Sequence, residues 1–381
     1  MEHFKIENLG PIHNVDIEFG DLTFFVGPQA SGKSICLEAL KLIKDRSKII
    51  STLEQYNYII DRDPKRLLNG YFGEGLSKLW NESTKVVLDE RNLTLDTLTK
   101  KEDGGENTIF YIPAQRIVCM GDGYPKFFND FTIITPYVLR DFSETLRNYV
   151  QSTIFGNDKV FPLRKGNKNI AKGSFDKNIF HDGKVVLSEY AGQKKMFLEA
   201  DNLDIPFMAW STGQKEFMPL LLAFYCLMDS GSNKDSNYST VIIEEPEMGL
   251  HPSAIESILL QICELIGMGY KVVVSTHSSL FIEFAWAFNT LKNMNVDVHA
   301  ALCSLFKVTK GSSLGKMLKT FKEKAVRTYY FSRSNESEYV SSKDISSLDV
   351  LSQNVDLSEW GGIMGFSTRA NDTVSKFVNY D

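Results

Sequence analysis

The stretch "GPQASGKS" at 27–34 follows an apolar run, "LTFFV" at 22–26, and opens a helix-spaced one, "SICLEALKLI" at 34–43. A loop of this kind between strand and helix turns successive backbone N–H groups inward, and the helix adds the partial positive charge of its N-terminus. That combination holds phosphate. Gly27, Gln29, Ala30, Ser31 and Gly32 form the wrap. The Lys33 ammonium is expected to pair with β- and γ-phosphates, and the Ser34 hydroxyl to ligate Mg²⁺. Far downstream, "TVIIEEPEMGLHP" at 240–252 sets two carboxylates directly after a β-branched run. Ligands of open α/β sheets bind at the C-terminal edge of the strands, so Glu244 is expected to hold the metal, directly or through water. Glu245 is the candidate base that orients and deprotonates an attacking water. "VVVSTHSS" at 272–279 places His277 at the end of another buried run, where it reads as a γ-phosphate sensor.

The elements that must position these groups alternate in type. Short paired strands are expected within the first 19 residues, from the spacing of Ile6, Ile12, Val15, Ile17 and Phe19 between turn residues. Residues 47–108 are mixed, part helical and part hairpin-like ("TKVVLDERNLTLDTLTK"), and "TIFYIPAQR" at 108–116 is a strand running into a loop. The text from 126 to 160 is helical and aromatic-rich, 164–177 is a basic loop, and 183–200 is a hairpin. From 207 a regular pattern appears: helix 213–228, strand 240–244, helix 252–267, strand 271–275, helix 279–292. The tail carries further strand candidates, such as "RTYYFSR" at 327–333. Strands alternating with helices on both sides of a long insertion predict one α/β sheet assembled from the two ends of the chain. The expected division is a core of 1–46 and 207–306, with strands from 83–116. An inserted lid of 117–206 and a tail of 307–381 completing the core make up the rest.

Composition narrows the function. The 381 residues are 43% hydrophobic and 12% aromatic, enough for a substantial core. A formal net charge of −6 argues against a chain that coats nucleic acid nonspecifically. Five scattered cysteines without a C-x-x-C pair read as buried thiols of a reducing compartment. The N-terminus has no signal pattern, and the longest apolar run, 217–228, is too short to span a bilayer. A cytoplasmic protein without membrane contact is expected.

The order of motifs resembles the ABC-type ATPases, in the branch that holds SMC proteins, RecF and the OLD-family ATPases. "GPQASGKS" corresponds to Walker A, "STGQ" at 211–214 to the ABC signature, "VIIEE" to Walker B, "EMGLHP" to the D-loop and "STHS" to the H-loop. "YIPAQR" at 111–116 stands where the family has its Q-loop, which makes Gln115 a candidate for touching Mg²⁺ or the attacking water. Within the branch, the chain is most similar to stand-alone bacterial AAA-family ATPases without a long coiled coil. The resemblance covers 1–46 and 207–306 well and the insertion poorly. It implies an ABC-type P-loop NTPase sheet with an N-terminal antiparallel β-subdomain and an inserted helical and β lid.

The resemblance also implies ATP as the nucleotide, Mg²⁺ as its ion, and a homodimer with composite ATP sites or a higher oligomer. Ser211, Gly213 and Gln214 would then face the nucleotide held by a second copy. Taken alone, "STGQ" reads equally as a helix cap. The sequence departs from the family at Gln29-Ala30, at Glu244 in place of the usual Asp, and in a signature lacking its leading Leu and Gly pair. Pro219 also falls inside the following helix, where it could kink it. No sustained heptads occupy 47–206, no Asp-x-Asp of a nuclease domain follows His277, and Asn233-Lys234-Asp235 lacks the spacing of a guanine-reading motif. The expected role is an ATPase whose nucleotide-dependent dimerisation regulates an operon-encoded effector, in anti-phage defence. The alternative is a RecF-like DNA-binding repair ATPase, with Lys165, Lys168, Lys172 and Lys177 on phosphates.

Overall fold

The computed structural model describes residues 2–101, 105–154, 156, 159–162, 172–228, 238–294, 296–333 and 339–377. Lys165, Lys168 and the 232–236 linker lie outside them. The chain opens with β1 (His3–Leu9), β2 (Ile12–Glu18) and β3 (Leu22–Val26), followed by the long helix α1 (Lys33–Gln55). Next come α2 (Pro64–Phe72), β4 (Lys85–Leu88), β5 (Arg91–Leu93), β6 (Ile109–Ile112) and a small hairpin, β7 (Met120–Gly121) with β8 (Tyr124–Pro125). α3 (Tyr137–Tyr149), β9 (Lys159–Phe161), α4 (Lys172–Phe175), β10 (Lys184–Tyr190), β11 (Gln193–Ala200) and β12 (Leu203–Pro206) follow. The second half holds α5 (Thr212–Met228), β13 (Thr240–Glu244), α6 (Pro252–Gly267), β14 (Lys271–Ser275) and α7 (Ser279–Asn293). It continues through α8 (Val298–Leu305), α9 (Ser313–Phe321), β15 (Val326–Arg333), β16 (Val340–Asp344), α10 (Val355–Ser358) and α11 (Gly365–Phe377).

Among the described residues, ten strands form one sheet in the order β5-β4-β1-β2-β16-β15-β3-β14-β13-β6. From β15 to β6 the neighbours run parallel. β1, β2, β4 and β5 pair antiparallel and continue the same sheet, because β16 bridges β2 to β15. A second sheet, β12-β11-β10-β9, lies within the insertion.

Alternation along the central strands builds two cores. Leu22, Phe24 and Val26 of β3, Val241 and Ile243 of β13, and Val272 and Val274 of β14 pack with α5, α6 and α7. Phe25, Ile242 and Val273 point the other way and pack with α1. All five residues of β3 are buried, the signature of a parallel strand covered on both faces. Each such side chain contributes roughly 1.5–3 kcal/mol of burial, so the loop after β3 is anchored to a fully buried strand.

α1 extends past the expected 34–43 and bends at Asp45, whose φ is −111°. The Asp45 carboxylate accepts from Thr108 N–H (2.9 Å), Thr108 Oγ1 (2.7 Å) and Ile109 N–H (3.0 Å), which ties the bend to the start of β6. Among the described residues, the region read as helical from 126 to 160 contains the 13-residue helix α3, continued by a π-helical turn over Val150–Ile154. Pro219 does not interrupt α5. The five cysteines are buried and unbridged. No helix among the described residues is long and apolar enough to cross a membrane.

Candidate functional site

Gly27 ends β3 at φ +145°, and a Cβ there would meet the Phe331 carbonyl oxygen at 2.5 Å. Only glycine lets the loop pass this close to β15. Ala30 and Gly32 also have positive φ, +57° and +78°. Position 30 is therefore one where glycine would be free, and Ala30 adopts it at a cost of about 1–2 kcal/mol.

Lys33 is the first residue of α1. Its ammonium donates to the carbonyls of Gly27 (2.8 Å) and Pro28 (2.9 Å) and to Ser31 Oγ (3.3 Å). Burial lowers its pKa to about 8, against the opposing pull of Glu245, Glu244 and Glu247. A phosphate recruits the charged form, which the protein alone holds only below that pH, so binding above it must take up a proton. Nucleotide affinity is accordingly expected to fall as pH rises beyond about 8. Calorimetry in two buffers of different ionisation enthalpy should report the uptake. Affinity that stays level to high pH, with no proton uptake, would remove the Lys33 ammonium from the site.

Glu244 closes β13 and is 4% exposed. Ser34 Oγ donates to one of its carboxylate oxygens and Tyr111 OH, at 2.6 Å, to the other. Burial pushes its carboxyl pKa up despite these two donors. One hydroxyl and one carboxylate are hard oxygen ligands, which fits Mg²⁺, an ion that completes its octahedron with phosphate and water.

Glu245 follows at φ +43°, an uncommon conformation for a residue with a Cβ. Its N–H donates to the Ser275 carbonyl at 2.9 Å. The His277 imidazole beside it, with Nε2 3.6 Å from Oε1, holds the Glu245 carboxyl below the usual carboxylate range. An ionised carboxylate next to a phosphate loop can accept the proton of a water molecule. Glu245 and His277 line one cleft of about 430 Å³ with Pro11, residues 29–35 and Arg333.

The structure thus gathers Gln29, Ala30, Ser31, Gly32, Lys33, Ser34, Glu245 and His277 at one cleft, with Gly27 at its base and Glu244 bonded to Ser34. Among the described residues, Gln115, Ser211, Gly213 and Gln214 do not line it. Gln115 is exposed beyond β6, its carbonyl accepting from Val118 N–H at 3.1 Å. Ser211 caps α5. Its Oγ accepts from Gln214 N–H (3.3 Å), its N–H donates to Gln214 Oε1 (3.2 Å), and its carbonyl accepts from Lys215 N–H (3.0 Å). This reciprocal pair is a capping box. It also leaves Ser211 exposed at the N-terminus of a 17-residue helix. Gly213 packs on the turn after β13, where an added Cβ would lie 2.7 Å from the Gly249 carbonyl oxygen.

Sequence reasoning missed Tyr111, Arg116, Glu247 and Arg333. Glu247 joins two turns of the site: its Oε1 accepts from Thr276 Oγ1 (2.8 Å) and His277 N–H (2.6 Å). Tyr111 reads as an ordinary strand aromatic, and its position opposite Ile242 in β13 emerges only from the sheet register.

Residues 1–119 match the family model described as "AAA ATPase domain". Residues 131–283 match the one described as "AAA domain, putative AbiEii toxin, Type IV TA system". A 64-residue stretch is 38% identical to the Old nuclease of Escherichia phage P2 and makes up 17% of this chain and 11% of that relative. The chain therefore matches about a tenth of that protein's length. The SMC head domain from Thermotoga maritima is 11% identical over 90% of this chain and 97% of its own, with a TM-score of 0.39. A bacterial ABC transporter cassette described as dimeric is 15% identical over 74% of this chain and 90% of its own, with a TM-score of 0.34. The fold, the phosphate loop and the two family matches agree on the class, a P-loop ATPase of the AAA type. Within that class it has a stretch of sequence in common with the Old nuclease.

Proposed function

We propose that the protein binds MgATP in the P-loop cleft and hydrolyses it as a dimer in which each subunit's Ser211 reads the nucleotide of the other. Lys33 and the loop amides hold the phosphates, Ser34 and Glu244 hold Mg²⁺, Glu245 is the base and His277 senses the γ-phosphate. Gln115 reaches the metal or the water only if its loop moves inward. The observation that carries the reading is the composition of the cleft: it brings the Glu245 carboxylate to the phosphate loop and its Lys33 ammonium, while the helix N-terminus suited to a γ-phosphate faces outward elsewhere. Met208, 64% exposed three residues before Ser211, adds apolar surface beside it. Opening and closing of the dimer regulates an effector, in anti-phage defence. The toxin–antitoxin wording of one matching family and the phage origin of the Old nuclease support that role. Of the four lysines of the DNA-binding alternative, Lys177 is exposed on the insertion, and no observation favours that reading.

Ser211→Arg is expected to abolish hydrolysis while leaving each subunit able to bind ATP, because the cation blocks closure and leaves Lys33 and Ser34 untouched. Mixing it with Lys33→Ala creates one dimer site with an intact P-loop from the first chain and an intact signature from the second. ATPase rate against mixing ratio should pass through a maximum near equal amounts. Full activity of Ser211→Arg alone would reduce "STGQ" to a helix cap and end the dimer reading.

A further inference from the structure

Arg116 follows Gln115 directly and is 0% exposed. Its guanidinium donates to main-chain oxygens on two elements of the site. Nε reaches the Glu216 carbonyl of α5 at 3.1 Å, Nη1 the Glu244 carbonyl at 3.1 Å, and Nη1 and Nη2 the Glu245 carbonyl at 3.3 Å each. Burial depresses its pKa, and the surrounding Glu216, Glu247, Glu245 and Glu244 oppose that. A planar guanidinium presents five N–H donors on three nitrogens in a fixed fork and so holds three carbonyls in set directions, whereas an ammonium donates from a single nitrogen. The Glu245 peptide, at φ +43°, is thereby clamped at both ends, by Ser275 through its N–H and by Arg116 through its carbonyl. Strain of that kind persists only where the surroundings over-determine it.

We propose that Arg116 is a positioning residue that links the base to the signature helix: it holds the Glu245 backbone in place and ties it to the opening turns of α5. The link rests on the composite-dimer reading above. When Ser211 meets a partner's nucleotide, α5 moves the Glu216 carbonyl, and the rigid fork passes that shift to Glu245. The close contact of Gly213 with Gly249 gives the two elements a second point of connection. Each subunit's base then responds to the nucleotide its own signature holds in the opposite site, a coupling between two sites.

Arg116→Lys keeps the charge and removes the fork. Affinity for a fluorescent ATP analogue is expected to stay within about threefold of wild type and KM to hold, while kcat falls roughly 30- to 100-fold. The same substitution in a Glu245→Gln background should change the residual rate less than about twofold, since no base remains to be misplaced. Wild-type kcat, an undiminished loss in the Glu245→Gln background, or a matching loss of nucleotide affinity would each overturn the positioning role. The link itself is read in the dependence of rate on ATP concentration: the wild type should be cooperative, and Arg116→Lys should return the curve to a hyperbola. A hyperbolic wild type, or cooperativity unchanged in Arg116→Lys, would leave a base clamp and overturn the link. A Ser211→Arg plus Lys33→Ala mixture with no recovery counts against the dimer reading alone, and the Glu245→Gln cycle still judges the clamp. Should Arg116→Lys fail to fold, hydrogen exchange of the wild type decides. Amides at 213–218 and 245–248 should gain protection at the same ATP concentration, and protection of the second segment without the first would overturn the link.

Discussion

Glu245→Gln should leave ATP binding intact and slow hydrolysis by roughly 10²–10⁴-fold, the usual loss for a missing general base. The amide keeps the volume of the carboxylate and the main-chain bonds to Ser275 and Arg116, so the strained turn is preserved. What disappears is the negative charge that His277 stabilises and that would accept a proton from water. Removing that charge also lessens repulsion of the γ-phosphate. An ATP-bound dimer should therefore accumulate, visible as an earlier elution volume with ATP that reverts with ADP. The neighbouring carboxylate provides the control. Glu244→Gln weakens the Mg²⁺ site, so it should lose activity in a manner partly recovered at high Mg²⁺. If Glu244→Gln traps the dimer while Glu245→Gln hydrolyses normally, the two roles are reversed.

Lys33→Ala should weaken ATP binding by about 10²-fold or more, since charge-assisted hydrogen bonds contribute about 1.5–3 kcal/mol each. Hydrolysis should fall to background. The stability of the protein is the informative control. Burial of the ammonium disfavours its charged form, as the lowered pKa shows, so below about pH 8 the folded state holds a charge it would shed more easily than the unfolded chain. Alanine removes that penalty together with three local hydrogen bonds. The thermal midpoint without nucleotide should stay close to wild type, while the rise produced by ATP should vanish. Unchanged ATPase activity in a folded variant would falsify the P-loop assignment.

Much of the site could be read directly because its chemistry is local in sequence. A glycine loop between strand and helix, and two carboxylates after "TVII", report their geometry through the elements that flank them. α1 beyond Ile43 was less legible. The stretch "KDRSK" reads as a polar end, but Asp45 is buried as the acceptor for β6, and Lys41 is buried with it at 3.2 Å. Internal polar pairs break the apolar periodicity that marks a helix. Arg116 escaped for a related reason: arginine is a surface residue by default, and only the folded chain shows three carbonyls converging on it. α8 and α9 are short helices of eight and nine residues, too brief for a period to stand out. The capping of Ser211 was legible as one of two readings, and the capping box realises it without hiding the residue.

The place of β3 in the sheet has a consequence for synthesis. Its neighbours are β14 and β15, and Leu22 pairs with Val272 and Val326, 250 and 304 residues further along the chain. Pairings this distant have a high entropic cost of closure and form late. While the chain is being made, the apolar strand leading into the phosphate loop has no permanent neighbour on either side, and the surface that Gly27 rests on, at Phe331, does not yet exist. A nascent chain therefore cannot assemble its nucleotide cleft until β15 has left the ribosome. On the proposed reading, nucleotide would be held only by chains in which β15 has already been made.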